Sequence, residues 1–163
     1  ERRITCSVKS PASIDAVWDA WTTPEGIISF FAPACNIDIR VGGLYEILFD
    51  LEAPPGDRGA EDMHILALQP GVMLSFTWNA PPELRKVRGQ YTHVTIRFHE
   101  VSKVETEVTL FHDGFGEGGE WEQAYRYFVR AWKKVVLPRL KYRFVQGPLD
   151  WDNLPDLSNI RLP

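Results

Sequence analysis

From residue 35 to residue 112, apolar and polar side chains alternate in one short segment after another. At residue 119 the period changes once, to that of a helix. That change constrains the fold more than any motif in the chain. Strands that follow one another through short turns pair antiparallel, because a parallel pair needs a long crossover. Such a sheet has an apolar face to bury, and the amphipathic segment after it is the element available to cover it.

The segments can be placed one by one. Residues 3–9 alternate, with Ile4, Cys6 and Val8 on one face, and Pro11 ends that strand. Ser13 is suited to cap a helix carrying Ile14, Val17, Trp18 and Trp21 on its apolar side. Thr23 caps a second short helix with Pro24 at its first position. Cys35, Ile37 and Ile39 alternate before Gly42-Gly43, and Tyr45, Ile47 and Phe49 alternate after it. A three-residue turn, pairing Arg40 with Leu44, keeps these two sets on one face. Asp38, Arg40 and Glu46 then face outward, with a diagonal Arg40–Glu46 contact. Further strands are expected over 62–68, 72–78, 92–101 and 105–112. Two longer connections, 52–61 and 79–90, each carry Pro-Pro and charges, and read as solvated rim loops or lids.

The final helix is expected over 119–137. Trp121, Ala124, Tyr125, Phe128, Ala131, Trp132 and Val135 recur on one side, and Glu122–Arg126 forms a favourable i,i+4 pair on the other. Pro138 should kink or end it. The remainder is an extended tail whose Trp151, Leu154 and Leu157 would dock on the body or on a second subunit. The chain reads as one domain, 1–163, with a core over about 3–137 and an extension over 138–163. It begins at Glu1 without Met, which leaves room for a preceding segment. No apolar run approaches membrane-spanning length and no signal-peptide pattern is visible, so the cytoplasm is the expected compartment.

In this order and spacing the segments resemble a known family. The stretches SPASIDAVWDAWTTPEGIISFF (10–31), DIRVGGLYEILF (38–49), LSFTW (74–78), VTIRF (94–98) and VTLFHDGF (108–115), with Trp121 opening the last helix, carry the resemblance. They are similar to the Activator of Hsp90 ATPase homologue-like (AHSA1-like) family of the SRPBCC/START superfamily. The resemblance implies an α+β helix-grip fold: a curved seven-stranded antiparallel sheet around a long C-terminal helix. It also implies an apolar ligand, or an Hsp90-associated co-chaperone module that stimulates the ATPase, with a role in stress response.

One motif points elsewhere. GFGEGG matches G-x-G-x-x-G at Gly114, Gly116 and Gly119, between a strand and a helix. A dinucleotide site also needs a following strand with an acidic residue about 20 positions on. Here the helix is followed by RLKYRF, and Glu117, Glu120 and Glu122 compete with a phosphate for the helix N-terminus. The motif is therefore read as a turn, and no cofactor is expected.

The candidate site is the space between sheet and helix. Inward parity selects Tyr45, Ile47, Phe49, Leu74, Phe76, Trp78, Val94, Ile96, Phe98, Val108, Leu110 and His112, and the helix adds Trp121, Tyr125, Phe128 and Trp132. These side chains either fill a solid core or line a partly open pocket. The number of aromatics with polar tips favours a pocket for a hydrophobic or aromatic small molecule. His112 is the one inward histidine. It is either a hydrogen-bonded core residue or a ligand-orienting, proton-transferring group, and is the candidate acid or base if the cavity belongs to a cyclase- or hydratase-like enzyme. His64, His93 and His99 fall on the outward parity. No two histidines have metal-ligand spacing, and Cys6 and Cys35 have none either, so no metal is expected. The net charge of −4 argues against nucleic acid and against anionic membrane as partners. A ligand, Hsp90 and a second copy of the chain are the partners left in view.

Overall fold

Alternation at the N-terminus becomes β1 (Ile4–Ser10), whose Ile4, Cys6, Val8 and Ser10 are buried. The expected caps form. Ser13 Oγ accepts from the Ala16 amide (3.3 Å) at the start of α1 (Ile14–Thr22), and Thr23 Oγ1 accepts from the Gly26 amide (3.0 Å) at the start of α2 (Pro24–Phe30). The computed structural model describes residues 2–163.

Seven further strands come next: β2 (Ala34–Ile37), β3 (Tyr45–Leu48), β4 (Gly59–Ala60), β5 (Ile65–Gln69), β6 (Met73–Trp78), β7 (Thr92–Ser102) and β8 (Glu105–Asp113). All pairings are antiparallel. One sheet has the order β1-β8-β7-β6-β5 and a second the order β2-β3-β4. The expected single sheet of seven strands is thus eight strands in two sheets. They remain one curved wall, because Leu44 bridges to His64 and the Tyr45 amide donates to the Met63 carbonyl (2.7 Å). The added strand, β4, is two residues long and too short to leave a period in the sequence.

The hairpin register differs from the expected one and keeps its parity. Ile37 pairs with Tyr45 and Cys35 with Ile47, so Arg40 does not pair with Leu44. The reason lies in the glycines. The Gly42 amide donates to the Ile65 carbonyl (2.8 Å) and the Gly43 carbonyl accepts from the Ile65 amide (2.9 Å), so the Gly-Gly segment is bound to β5, while the Gly43 amide closes a separate turn onto the Arg40 carbonyl (2.8 Å) outside the β2–β3 ladder. A shift of two residues leaves every side chain on its expected face, which a shift of one would not. The diagonal Arg40–Glu46 contact does not form. Arg40 pairs with Asp38 (2.6 Å), and Glu46 accepts from Asn36 Nδ2 (3.1 Å) and the Asp62 amide (2.7 Å).

The gripping helix is longer than expected. It runs as α3 (Glu120–Arg130), a π-helical turn (Ala131–Val136) and α4 (Leu137–Val145). Pro138 does not end it. A wide π turn directly precedes the proline, the usual accommodation where a helical hydrogen bond is lost. Leu140, beyond the expected end of the helix, is fully buried. Glu122 and Arg126 form the expected pair (3.3 Å). The tail then returns to α2. The Leu149 amide donates to the Ser29 carbonyl (2.9 Å), Trp151 Nε1 donates to the Ile28 carbonyl (2.7 Å), and Leu154 stays exposed. No helix among the described residues is long and apolar enough to cross a membrane.

Candidate functional site

His112, near the end of β8, is fully buried. Its Nδ1 accepts a hydrogen bond from Trp132 Nε1 (3.0 Å), so the ring proton belongs on Nε2. Nε2 lies 2.7 Å from Thr92 Oγ1, which in turn donates to the Trp78 carbonyl (3.3 Å). Every proton in this chain has an acceptor and the last acceptor is backbone. Burial, aided by His93, pushes the His112 pKa down to about 3, so the ring is neutral. Both ring nitrogens are engaged inside the protein. His112 is therefore a positioning residue for Trp132 and has no nitrogen left for proton transfer.

The structure separates the aromatic set into a packed interior and an open end. Tyr45, Ile47, Phe76, Ile96, Leu110 and His112 have no exposed surface, and Phe98 is buried against Trp18 with ring centroids 5.1 Å apart. The Tyr45 hydroxyl is tied inward, donating to the Trp21 carbonyl (2.8 Å). Trp121 and Tyr125 lie at the other end of the helix, both in edge contact with Phe115. Of the expected set, Phe49, Trp78, Phe128 and Trp132 line a cleft.

That cleft has two adjoining hollows, of about 600 and 310 Å³, which share Phe49, Trp78, Tyr127 and Phe128. The larger lies beneath the two Pro-Pro loops and is lined by Pro81, Pro82, Asp57 and Arg88 among others. The smaller lies along the π turn, with Phe31, Ala131, Trp132, Val135 and Val136 in its wall. Sequence parity does not select Phe31, Tyr127 or Val136. Tyr127 and Val136 fall on the flank of the helical stripe, and the π turn rotates the residues after it. Phe31 sits in an unbroken apolar run, which has no facing to read.

The two loops are not the free solvated segments that their composition suggests. Within 79–90 a single helical turn forms at Arg85–Arg88, and its Leu84 and Val87 are buried with Ala124 of the gripping helix. Glu120 accepts from the amides of Lys86 (2.8 Å) and Val87 (3.2 Å), capping that turn across the gap. Arg85 holds Asp57 of the other loop through both oxygens (2.7 and 2.9 Å), and that contact lowers the Asp57 pKa. Arg88 donates to the carbonyls of Gly56, Gly59 and Ala80. The basic run ELRKVR (83–88) thus clamps one loop to the other through Arg85 and Arg88.

The glycine motif is a turn. Gly114, Gly118 and Gly119 have positive φ (92°, 71° and 53°), which glycine adopts at little cost. At Gly116 a Cβ would stand 2.3 Å from Trp121 Nε1, so the indole packs directly on the backbone. Among the described residues, no three His, Cys, Asp or Glu side chains converge as metal ligands. A larger cleft of about 1050 Å³ lies between the outer helix face and the tail, lined by Arg126, Arg130, Lys133, Lys134 and Arg161, and holds none of the expected aromatics.

The family described as Activator of Hsp90 ATPase homolog 1-like protein matches residues 11–144. No curated protein is significantly similar in sequence. Several solved structures share the helix-grip fold. Protein MLL2253 from Mesorhizobium loti is 20% identical with a TM-score of 0.67, covering 86% of this chain and 94% of that one. The Aha1 dimer from Colwellia psychrerythraea is 19% identical with a TM-score of 0.64, covering 90% and 98%. PFC0360w, an HSP90 activator from Plasmodium falciparum, is 14% identical with a TM-score of 0.64, covering 91% and 98%. At these identities the likeness is one of fold.

Proposed function

The chain belongs to the Activator of Hsp90 ATPase homologue 1-like family, and from that premise we propose that it binds a hydrophobic or aromatic small molecule in the cleft beside the π turn. The observation that carries this reading is the smaller hollow, walled by the rings of Phe31, Phe49, Trp78, Phe128 and Trp132. Phe49 is 43% exposed beside it, an apolar ring in reach of a ligand. Covering such surface supplies about 25 cal/mol per Å² before the costs of association. Because the interior is packed, the ligand sits at the open end of the helix grip and not along its length. Tyr45, Phe76 and His112 support the site from behind.

The test is a neutral fluorescent probe, N-phenyl-1-naphthylamine. It is expected to bind with enhanced emission. Ala131→Trp, which fills the smaller hollow from a half-buried position, is expected to weaken binding about tenfold or more. Undiminished affinity in a folded Ala131→Trp protein would remove the site from this cleft.

A second reading, an Hsp90-associated module, is favoured by the family's own description. It requires that the protein co-precipitate with Hsp90 and raise its ATPase rate. Failure in both assays discards it. An enzyme acting through His112 finds no support, since both ring nitrogens are already bonded.

A further inference from the structure

The smaller hollow is mostly apolar, and its charged groups are all cations. Arg130 and Arg139 line it, and no Asp or Glu does. The adjoining larger hollow is different, with Asp50, Asp57 and Glu83 in its wall. Other arginines near this end are bonded: Arg85 to Asp57, and Arg88 to three carbonyls. Arg139 is half-buried, yet among the described residues it has no ion-pair partner and no hydrogen bond to the protein. Its contact is the face of Trp151, 5.2 Å from the ring centre.

A guanidinium carries five N–H donors in a planar fork. Burial lowers the proton affinity of Arg139, and the group still carries its charge at neutral pH. Removing a cation from water without a counter-ion costs free energy, and a carboxylate or related anion on the fork recovers it through paired hydrogen bonds. The helix sets this geometry. Ala131, Val135 and Val136 form the apolar floor between Arg130 at one end and Arg139 at the other.

From this arrangement we infer that the hollow is built for a hydrophobic anion, with its apolar body against the rings and its charged oxygens on Arg139, and Arg130 adding a second positive charge. The inference rests on the small-molecule reading above and adds the ligand's charge to it.

The test compares two probes of one scaffold, the neutral N-phenyl-1-naphthylamine and its sulfonated counterpart 8-anilinonaphthalene-1-sulfonate. The wild-type protein is expected to favour the anion by about tenfold or more, the scale of one charge-assisted hydrogen-bonded contact. Arg139→Met, which keeps the length of the side chain, is expected to abolish most of that preference and to leave neutral-probe affinity within about twofold. Arg139→Lys should retain part of it, which separates loss of charge from loss of packing on Trp151. Equal binding of both probes by the wild type would overturn the inference and leave the small-molecule reading standing. So would an anion preference that survives in the Arg139→Met, Arg130→Met double variant. If neither probe binds, the small-molecule reading itself fails and the inference with it.

Discussion

At the scale of single residues, His112 carries the most consequence. Its neutral ring accepts from Trp132 and reaches Thr92, so protonation would break a hydrogen bond and place a charge in a dry core. The folded-state pKa, about 3, lies below the ordinary histidine value. Stability from this group is therefore complete above about pH 6.5 and falls as the pH drops toward 3. His112→Ala is expected to cost about 2–4 kcal/mol near neutral pH, read from urea midpoints. The wild-type advantage over the variant should shrink steadily in acid, and an advantage constant from pH 7 to pH 4 would contradict the neutral network. Parity in the sequence showed that His112 points inward. Which atoms would meet its nitrogens was not legible, because Thr92 and Trp132 are each 20 positions away.

At the scale of elements, the two Pro-Pro loops, with the helical turn inside the second, form one unit. Arg88 joins three backbone carbonyls across both loops, and Arg85 and Asp57 add a bidentate pair. Arg88→Met is expected to destabilise the protein by about 1–3 kcal/mol. Amide exchange should quicken first at 52–61 and 79–90, before the sheet is affected. Unchanged protection in both loops would show that the clamp is not what holds them. The sequence suggested solvated loops, since Pro-Pro and charge are loop signals. Leu84 and Val87, three residues apart within the basic run, were the trace of a helical turn with one apolar side. The same scale explains Pro138. A proline forbids an ordinary helical bond, and the sequence alone does not announce that a π turn will absorb the loss.

At the scale of the whole molecule, the tail closes the fold. Trp151 donates to the Ile28 carbonyl, stacks with Arg139 and so ties the segment after the helix to α2. Trp151→Ala is expected to cost about 1–2 kcal/mol and to speed exchange of the Leu149 amide, which is bonded to Ser29 nearby. If the thermal midpoint and that amide are both unmoved, the tail docks for reasons other than its tryptophan. The segment after the helix is thus joined to the body by buried Leu149 as well as by polar bonds. The same indole packs on Arg139 at the rim of the cleft, so tail and cleft meet through one side chain.

Local chemistry determined much of this protein. Period two and period 3.6, the serine and threonine caps and the inward parity of each strand depend on near neighbours, and they were readable from the sequence together with the order of elements and the family. Parity even survived the error in hairpin register, since the shift was two residues. Tertiary structure alone decided the rest. Whether a ring such as Tyr45 fills the core or, like Phe49, reaches a cleft depends on which distant segment arrives to cover it. The cleft therefore lies where the curved sheet, the π turn and two clamped loops fail to close completely, a matter of volumes meeting in space that no local pattern encodes.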